Sequence, residues 1–372
     1  MEWEQLTDDN RPEQAEGPTI EVSEELPAEL ASLNSARIRK GLYIFAVLTI
    51  AALTGIFLYT HTGGTVEAIR HIQFGCFLLV LGLSVVDMTL GALRNHIYFM
   101  AMDGHVSFWT SIRANLANIF MGAVTPSQSA GGPAQLYVYY NAGVSMGKAI
   151  AVGVLNLLAT IIFFVVSAGF SVYVLRDSFS PLLRSILLFC LVVFVIQLIL
   201  YVLVVWKPEA ALKVIQKLSG ILSQRLPRCR NRIDRFTGKV VKELKTYRES
   251  CSMFLGRRIY IPVLAVFLTF VLYINKFVLA YFIMIGLGES GDLLTVLCIQ
   301  ALVLFISYYS ISPGASGIAE LSIAALMASV IGRDSLMVFT LLQRFFILYL
   351  PVIFGAVVVG HELRRKSSVL SS

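Results

Sequence analysis

The 372 residues include 57% hydrophobic and 14% charged side chains, with a net charge of +7 and a mean hydropathy of +0.76. Soluble domains contain roughly 25% charged residues, and a globular chain of this size has too little interior to bury so much apolar surface. The composition therefore excludes an ordinary soluble protein and places much of the chain in a lipid bilayer. Five cysteines, a small and odd number, exclude a secreted disulfide scaffold.

The chain begins with a polar segment, residues 1–38, in which ten acidic residues lie between Glu2 and Glu29. Such a segment cannot bury enough apolar surface to fold, so we expect a disordered acidic cytoplasmic tail. It does not fit the pattern of a signal peptide, because the first apolar run starts only after Lys40.

Six apolar runs are long enough to cross the hydrocarbon core as helices. They cover residues 41–60, 72–93, 149–175, 185–206, 259–288 and 335–360. Three of these runs contain one charged residue each, namely Asp87, Lys276 and Arg344.

Two further stretches, residues 114–147 and 300–332, contain proline and glycine that interrupt a helix. Inside a membrane the freed backbone groups must be buried in protein or face a watery cavity. Both stretches are therefore predicted to be re-entrant helix hairpins. The residues expected to form their elbows are Pro126, Gly131, Gly132, Pro133, Pro313, Gly314 and Gly317.

Residues 207–258 hold 14 basic and four acidic side chains, whereas few basic residues lie in the loops on the opposite side. The positive-inside rule places this segment and both termini, including residues 362–372, in the cytoplasm. We expect the protein itself to lie in the cytoplasmic membrane. The segment has amphipathic helical periodicity, so it either lies on the headgroups or docks a soluble partner. Because the positive charge is concentrated between spans, we expect no nucleic-acid partner.

The two elbows resemble each other at an offset of 185 residues. Ala130, Gly132, Ala134 and Leu136 align with Ala315, Gly317, Ala319 and Leu321, and Gln135 aligns with Glu320. Residues 39–206 and 259–361 repeat the order of span, elbow, short helix and span, in opposite orientations. The sequence thus predicts an all-α polytopic membrane protein with six full transmembrane helices plus two re-entrant helix hairpins in an inverted repeat, a recurring design of transporters.

Polar residues inside the predicted membrane region are the candidate substrate-binding groups, because such groups are costly there and usually functional. They are Glu320, Arg344, Lys276, Asp87, Gln128 and Gln135. Glu320 contacts either a substrate or proton, or a structural partner at the elbow. Arg344 is either its counter-ion or a ligand for lipid phosphate. Asp87 and Lys276 either reach the cavity or pair across it, and Lys276 has the further option of snorkelling outward.

No Walker loop, H-E-x-x-H, C-x-x-C or G-x-S-x-G motif is present, and no soluble segment approaches the size of a catalytic domain. We therefore expect no catalytic residue, metal or cofactor, and we expect that the protein is not an enzyme.

Several segments resemble the lysylphosphatidylglycerol synthase transmembrane family, the flippase-like domain of the multiple peptide resistance factor. They are A-L-R-N at 92–95, N-L-A-N-I-F-M-G-A-V-T-P-S-Q-S-A-G-G-P-A-Q at 115–135, G-V-S-M-G-K-A at 143–149, S-P-G-A-S-G-I-A-E at 312–320 and Q-R-F-F-I-L-Y-L-P at 343–351. The resemblance covers about residues 40–360. It implies an eight-segment fold with two re-entrant helices and a role with lipids or lipid-linked precursors. We expect a stand-alone member without the aminoacyl-transferring domain, so lipid synthesis is not implied.

Three functions are compatible with these observations. The first is a lipid flippase or lipid-precursor transporter whose partners are membrane lipids, anionic or lipid-linked. The second is an accessory protein that presents a lipid or polyprenyl intermediate to an envelope-biosynthesis enzyme. The third is a membrane-embedded transferase, which would need Glu320 as its acid or base.

Overall fold

The computed structural model describes residues 73–102, 106–176, 181–206, 230–308 and 310–370, together with scattered helical positions between 40 and 58. Within these ranges all regular elements are helical, which confirms the predicted all-α class. The acidic tail 1–38, most of the first span and residues 207–229 of the basic segment lie outside the described residues.

The helices fall into two sets separated by one helix of the basic segment. The first set is α1 (Phe74–Met102), α2 (Phe108–Val124), α3 (Gly131–Asn141), α4 (Met146–Val174) and α5 (Pro181–Trp206). The separating helix is α6 (Arg230–Leu255). The second set is α7 (Tyr260–Gly286), α8 (Leu293–Tyr308), α9 (Ile318–Met327), α10 (Arg333–Arg344) and α11 (Leu350–Leu370). A π-helical turn, Phe345–Tyr349, joins α10 to α11.

Four helical stretches in the described part of the chain are long and apolar enough to cross a membrane. These are α1, α4, α7 and the continuous run Arg333–Glu362, while the apolar part of α5, Leu187–Val202, is shorter. The number of crossings therefore remains a prediction. The helix that contains the predicted span 72–93 continues to Met102, so Arg94 and Asn95 lie within α1. The apolar residues that follow them keep the helix buried in the bundle.

Both predicted elbows are present as short 3-10 turns, Pro126–Gln128 between α2 and α3 and Pro313–Ala315 between α8 and α9. The helices that enter them are capped locally. The Ser107 hydroxyl accepts the Thr110 N–H at the start of α2. The Asp292 carboxylate accepts both the N–H and the hydroxyl of Thr295 before α8, and these hydrogen bonds lower the pKa of Asp292.

The elbows superpose at an offset of 187, not 185. In the first elbow, the N–H groups of Gln128 and Ser129 each donate to the carbonyl three residues earlier, and the N–H of Ala134 donates to the carbonyl four residues earlier. The residues 187 positions later, Ala315, Ser316 and Leu321, donate in the same way. Their matching left-handed residues, Ser127 with Gly314 and Gln128 with Ala315, show the same offset. The predicted alignment at an offset of 185 is therefore wrong, and Gln135 and Glu320 are not equivalent backbone positions.

Packing between the two sets is reciprocal. Helix α1 lies against α7, while α2 packs on α11 of the other set and α8 packs on α4. The contact between α2 and α11 is close, because a Cβ atom on Gly355 would collide with the Leu116 carbonyl. One helix of each hairpin thus contacts the other set, in addition to the helices of its own set.

Helix α6 packs its apolar face on the protein itself. Tyr247, Cys251 and Phe254 are buried, and the first two cluster with Ala151 of α4. The Glu243 carboxylate accepts the N–H of Gly147 at the start of α4. The exposed face carries the charges, including Lys242 and Lys245.

Candidate functional site

The tips of the two elbows touch. The Ser127 N–H donates to the Ile311 carbonyl at 3.1 Å, and the turns contact each other around this bond. Their surroundings differ, since Pro126, Ser127 and Gln128 of the first elbow are exposed whereas Pro313, Gly314 and Ala315 of the second are buried. The open space therefore lies on the side of the first elbow.

An ion pair closes the second elbow. Arg344 Nε donates to Glu320 Oε1 at 2.9 Å, and Arg344 Nη2 donates to the Gly314 carbonyl at 2.9 Å. The other Glu320 oxygen, Oε2, accepts the Gly317 N–H at 2.7 Å, which forms the N-terminal cap of α9. Both charged groups thus have structural partners, the alternative that the sequence left open beside a substrate role.

A second ion pair links the two central helices. Lys276 Nζ of α7 donates to Asp87 Oδ2 of α1 at 2.6 Å, and both side chains are largely buried. This is the pairing across the bundle that the sequence allowed. Charge on each group is thereby balanced locally.

Lys276 and Arg344 also border a small cavity of about 80 Å³ in the second set of helices. Two amides in its wall, Gln300 and Gln343, bond each other, with Gln343 as the donor. This volume holds only a few waters and no lipid headgroup.

A much larger cavity, about 670 Å³, lies beside the first elbow. Of the predicted site residues, Gln128 and Gln135 line it, together with Ser127 of the elbow. Gly132 and Pro133 line it too, but they lie with Gly131 in the first turn of α3 and not in the elbow where the sequence placed them. The volume falls in the range of small-molecule binding sites.

One wall of this cavity is a chain of side-chain amides centred on Asn95. Its Oδ1 accepts from Gln135 Nε2 and from Asn156 Nδ2, both at 2.8 Å, while Asn118 donates to Gln135 Oε1. Each NH₂ group has two protons, and these bonds use one of them on Gln135 and on Asn156. Each of these two amides keeps one N–H without an acceptor among the described residues.

Arg94 lies next to this wall and was not among the predicted site residues. Its Nη1 donates to the hydroxyls of Thr160 at 2.9 Å and Thr269 at 3.3 Å, and its Nε is buried with no hydrogen-bond partner among the described residues. The position directly after an apolar run suggested the end of a span. The apolar residues 97–102 that follow indicate that the helix continues past Arg94, and this signal in the sequence could have placed Arg94 inside the helix.

Arg94 is the single charged residue in the wall of the large cavity, as far as the described residues go. In the same part of the chain no carboxylate lies within salt-bridge distance of its guanidinium, whereas Lys276, Arg344 and Arg113 each pair with one. The wall of the cavity therefore carries one positive charge without an ion-pair partner among the described residues.

A second wall is apolar. Ile150, Val154 and Leu157 follow one face of α4, with Leu136 of α3 beside them. Gly153, on the same face, leaves open space where a Cβ atom would stand. The cavity thus joins a polar wall to a hydrocarbon-like one. Among the described residues no group of three His, Cys, Asp or Glu side chains is placed to hold a metal ion.

Several apolar helices long enough to span a bilayer, packed around a cavity beside a broken helix, define a polytopic membrane protein. Residues 43–355 match the family described as the lysylphosphatidylglycerol synthase TM region, and the chain belongs to this family. It is also similar to a UPF0104 membrane protein of Archaeoglobus fulgidus, with 22% identity over 324 residues that cover 87% of this chain and 97% of the relative. The family resemblance inferred from the elbow segments is thereby confirmed.

Proposed function

We propose that the protein is a lipid flippase or lipid-precursor transporter that moves a polar headgroup across the cytoplasmic membrane. The observation that carries the proposal is the 670 Å³ cavity, which has an amide-lined wall at a broken helix and an apolar wall along α4. A headgroup needs polar contacts while its acyl chains need hydrocarbon, and these two walls supply both.

The proposed layout has six crossings and two re-entrant hairpins that enter from opposite sides, with both termini in the cytoplasm. The reciprocal packing of α2 on α11 and α8 on α4 supports it, as does the contact between the two elbow tips. Inverted repeats whose broken helices meet inside the membrane are a common basis of alternating access.

The difference between the elbows suggests how transport proceeds. The first elbow is exposed to a large cavity, whereas the second is packed shut around Glu320 and Arg344 beside a space of about 80 Å³. Transport would exchange these two environments, so that the headgroup leaves on the opposite side. Each state needs a free energy within a few kcal/mol of the other for turnover to occur.

The test is headgroup translocation in proteoliposomes that contain the purified protein and fluorescent anionic, zwitterionic or aminoacylated lipids. Gly153→Leu adds a side chain to the cavity, and we expect it to reduce translocation at least tenfold with unchanged folded yield. The matched control is Gly82→Leu, because Gly82 also has open space at its Cβ position but does not line the cavity. Equal translocation by the two variants would contradict the proposal.

The accessory role is the second candidate, and the exposed charged face of α6 favours it. It requires that an envelope-biosynthesis enzyme copurifies through this face and that the protein alone translocates no lipid. Charge reversal at Lys242 and Lys245 would then remove the enzyme from the purified complex. If the same variant translocates lipid normally and no enzyme copurifies, this role is excluded.

A further inference from the structure

The exposed face of α6 carries positive charge that the described part of the chain does not balance. Lys242 and Lys245 are exposed, and neither forms an ion pair with a described carboxylate. Glu243 of the same helix points to α4, where it accepts the Gly147 N–H. Among the described residues of α6, Glu249 is the one exposed acidic side chain.

Basic positions continue along the same helix. The sequence places Arg232, Arg235 and Lys239 ahead of Lys242 at intervals of three or four residues, the spacing of positions that share a helix face. Residues 207–258 as a whole hold 14 basic and four acidic side chains, a net charge of +10. Such a surface attracts a partner that carries many negative charges.

The apolar face of α6 is already covered by protein. Tyr247 and Cys251 cluster with Ala151 of α4, and the ring centroids of Phe254 and of Tyr98 on α1 are 5.0 Å apart. A helix that binds a membrane surface places its apolar face in the lipid. Because α6 uses this face to pack on the bundle, its basic face points away from the bundle and is open to a polar partner.

We propose that this partner is the acidic segment of the same chain, residues 1–38, which docks on the basic face of α6. The segment holds ten acidic and two basic side chains, a net charge of −8. Each exposed charge pair is weak alone, but complementary charges on two surfaces select the partner and its position. The inference rests on the proposed layout, which puts both segments on one side of the membrane, and it does not require transport.

The length of chain between the acidic residues and the first span allows this contact. Lys40, the first described helical position, lies 11 residues after Glu29, and an extended chain of that length spans about 36–40 Å. Helix α6, with 26 residues, is about 39 Å long. A contact within one chain also benefits from an effective concentration on the order of millimolar. Weak charge pairs therefore suffice to keep the segment on the helix.

A second basic run in the proposed cytoplasmic part of the chain is smaller. Arg364, Arg365 and Lys366 follow Glu362 near the end of the chain. Three basic residues next to a carboxylate attract the acidic segment less strongly than a segment with a net charge of +10. We therefore assign the acidic residues to α6.

The experiment uses the full chain in uncharged detergent, with a photo-reactive benzoylphenylalanine in place of Ser23, which lies among the acidic residues. After irradiation, mass spectrometry identifies the peptides to which this position is linked. We expect links to residues 242–255. Their yield should fall at least about threefold between 0.1 M and 1 M salt, because the Debye length shortens from about 10 Å to about 3 Å.

Two matched pairs of variants test the charges. Lys242→Gln with Lys245→Gln should lower the yield of these links at least about threefold, because it removes the charge at the two exposed positions. Lys242→Arg with Lys245→Arg keeps the charge and should leave the yield unchanged. In the acidic segment, Glu24→Gln with Glu25→Gln should also lower the yield, whereas Glu24→Asp with Glu25→Asp should not.

Equal yields in the glutamine and arginine variants of α6 overturn the proposal, and so does a yield that does not depend on salt. Links to residues 363–370 or to a copurified protein, with none to α6, assign the acidic segment to another surface and overturn it as well.

The same measurement in nanodiscs distinguishes the acidic segment from lipid headgroups as the occupant of the basic face. We expect the links to persist in nanodiscs that contain phosphatidylglycerol. Links that form in zwitterionic nanodiscs but are lost in the anionic ones would assign the face to headgroups and overturn the proposal. Translocation in proteoliposomes is a separate readout. A protein that moves lipid without links to α6 contradicts the docking alone, and one that shows the links but moves no lipid contradicts transport alone.

Discussion

Glu320 and Arg344 form a buried ion pair, with 2.9 Å between Oε1 and Nε, that ties the start of α9 to the end of α10. The same two side chains also hold the backbone of the second elbow, because Glu320 accepts the Gly317 N–H and Arg344 donates to the Gly314 carbonyl. The pair therefore replaces the backbone hydrogen bonds that the helix break removes.

We expect Glu320→Gln to destabilise the protein strongly, because it leaves the buried Arg344 guanidinium without its counter-ion. Removal of one partner of a buried ion pair costs about 3–5 kcal/mol. The measurement is thermal unfolding in detergent, and the unfolding temperature should fall by several degrees.

The control is a double-mutant cycle, which compares Glu320→Gln, Arg344→Gln and the double variant that carries both changes. The double variant removes both charges, so its loss of unfolding free energy should be smaller than the sum of the losses in the two single variants. Additive losses would show that the two residues act independently of each other.

The pair between Asp87 and Lys276 should behave as a link between α1 and α7. Asp87→Asn and Lys276→Gln should each lower the unfolding temperature. The loss of unfolding free energy in the double variant should be smaller than the sum of the two single losses, and the difference, the coupling free energy, should be about 0.5–3 kcal/mol. Exchange of the two residues, Asp87→Lys with Lys276→Asp, should recover part of the stability, since the N–O contact of 2.6 Å can form in either direction. No recovery and no coupling would rule out a direct interaction.

The matched backbone positions of the two elbows should differ in their tolerance of alanine. Gly314 and Ser127 both have φ in the left-handed region, at 59° and 51°. Gly314→Ala introduces a Cβ atom there, which costs about 1–2 kcal/mol, whereas Ser127 already has one. We therefore expect a lower unfolding temperature for Gly314→Ala and little change for Ser127→Ala. Equal effects would mean that the left-handed conformation is not what selects glycine at position 314.

Gly147→Ala should displace α6 from α4, because a Cβ atom there would collide with the Glu243 carbonyl. Cys251, on the face of α6 that packs on α4, reports the displacement through its rate of maleimide labelling. Labelling of Cys251 should be slow in the otherwise unmodified protein and faster in Gly147→Ala. Gly169→Ala, on the same helix with only ordinary contacts, should leave the rate unchanged. The assay uses a background in which alanine replaces Cys76, Cys190, Cys229 and Cys298.

Burial raises the pKa of the Cys251 thiol to about 11 from its ordinary value of 9.0. The folded state thus holds this proton more tightly than the unfolded state does. The contribution to stability is fully present below pH 9 and is lost as pH rises toward 11. Unfolding followed across this range should show a decline that is smaller in Cys251→Ala. Burial also raises the pKa of the neighbouring Tyr247, so its phenol stays neutral in this window. Identical pH profiles for the two proteins would contradict the assignment.

The broken helices were predictable because their cause is local. Pro126 and Pro313 each remove a backbone N–H from the helix ladder, and neighbouring glycines allow the turn, so a few consecutive residues suffice. The register of the repeat was not predictable to the residue, since short runs of small residues align almost equally well at offsets of 185 and 187. The backbone hydrogen bonds decided between them.

The candidate site was predictable only in part. Gln128 and Gln135 do line the large cavity, and Glu320, Arg344, Asp87 and Lys276 are indeed buried or nearly so. What the sequence could not show is that these four charges neutralise one another in pairs. Arg94, which lay outside the predicted run, is the charge in the cavity wall that remains.

Composition, apolar run length and proline and glycine positions by themselves determined an all-α membrane protein with two broken hairpins, because bilayer thickness and backbone hydrogen bonding act on short stretches of chain. The tertiary structure alone decided which charges are paired and where the cavity lies. The partners are 24 residues apart in Glu320 and Arg344 and 189 apart in Asp87 and Lys276. Their contact depends on how whole helices pack, and that packing also puts Arg94 in the wall of the cavity beside the first elbow.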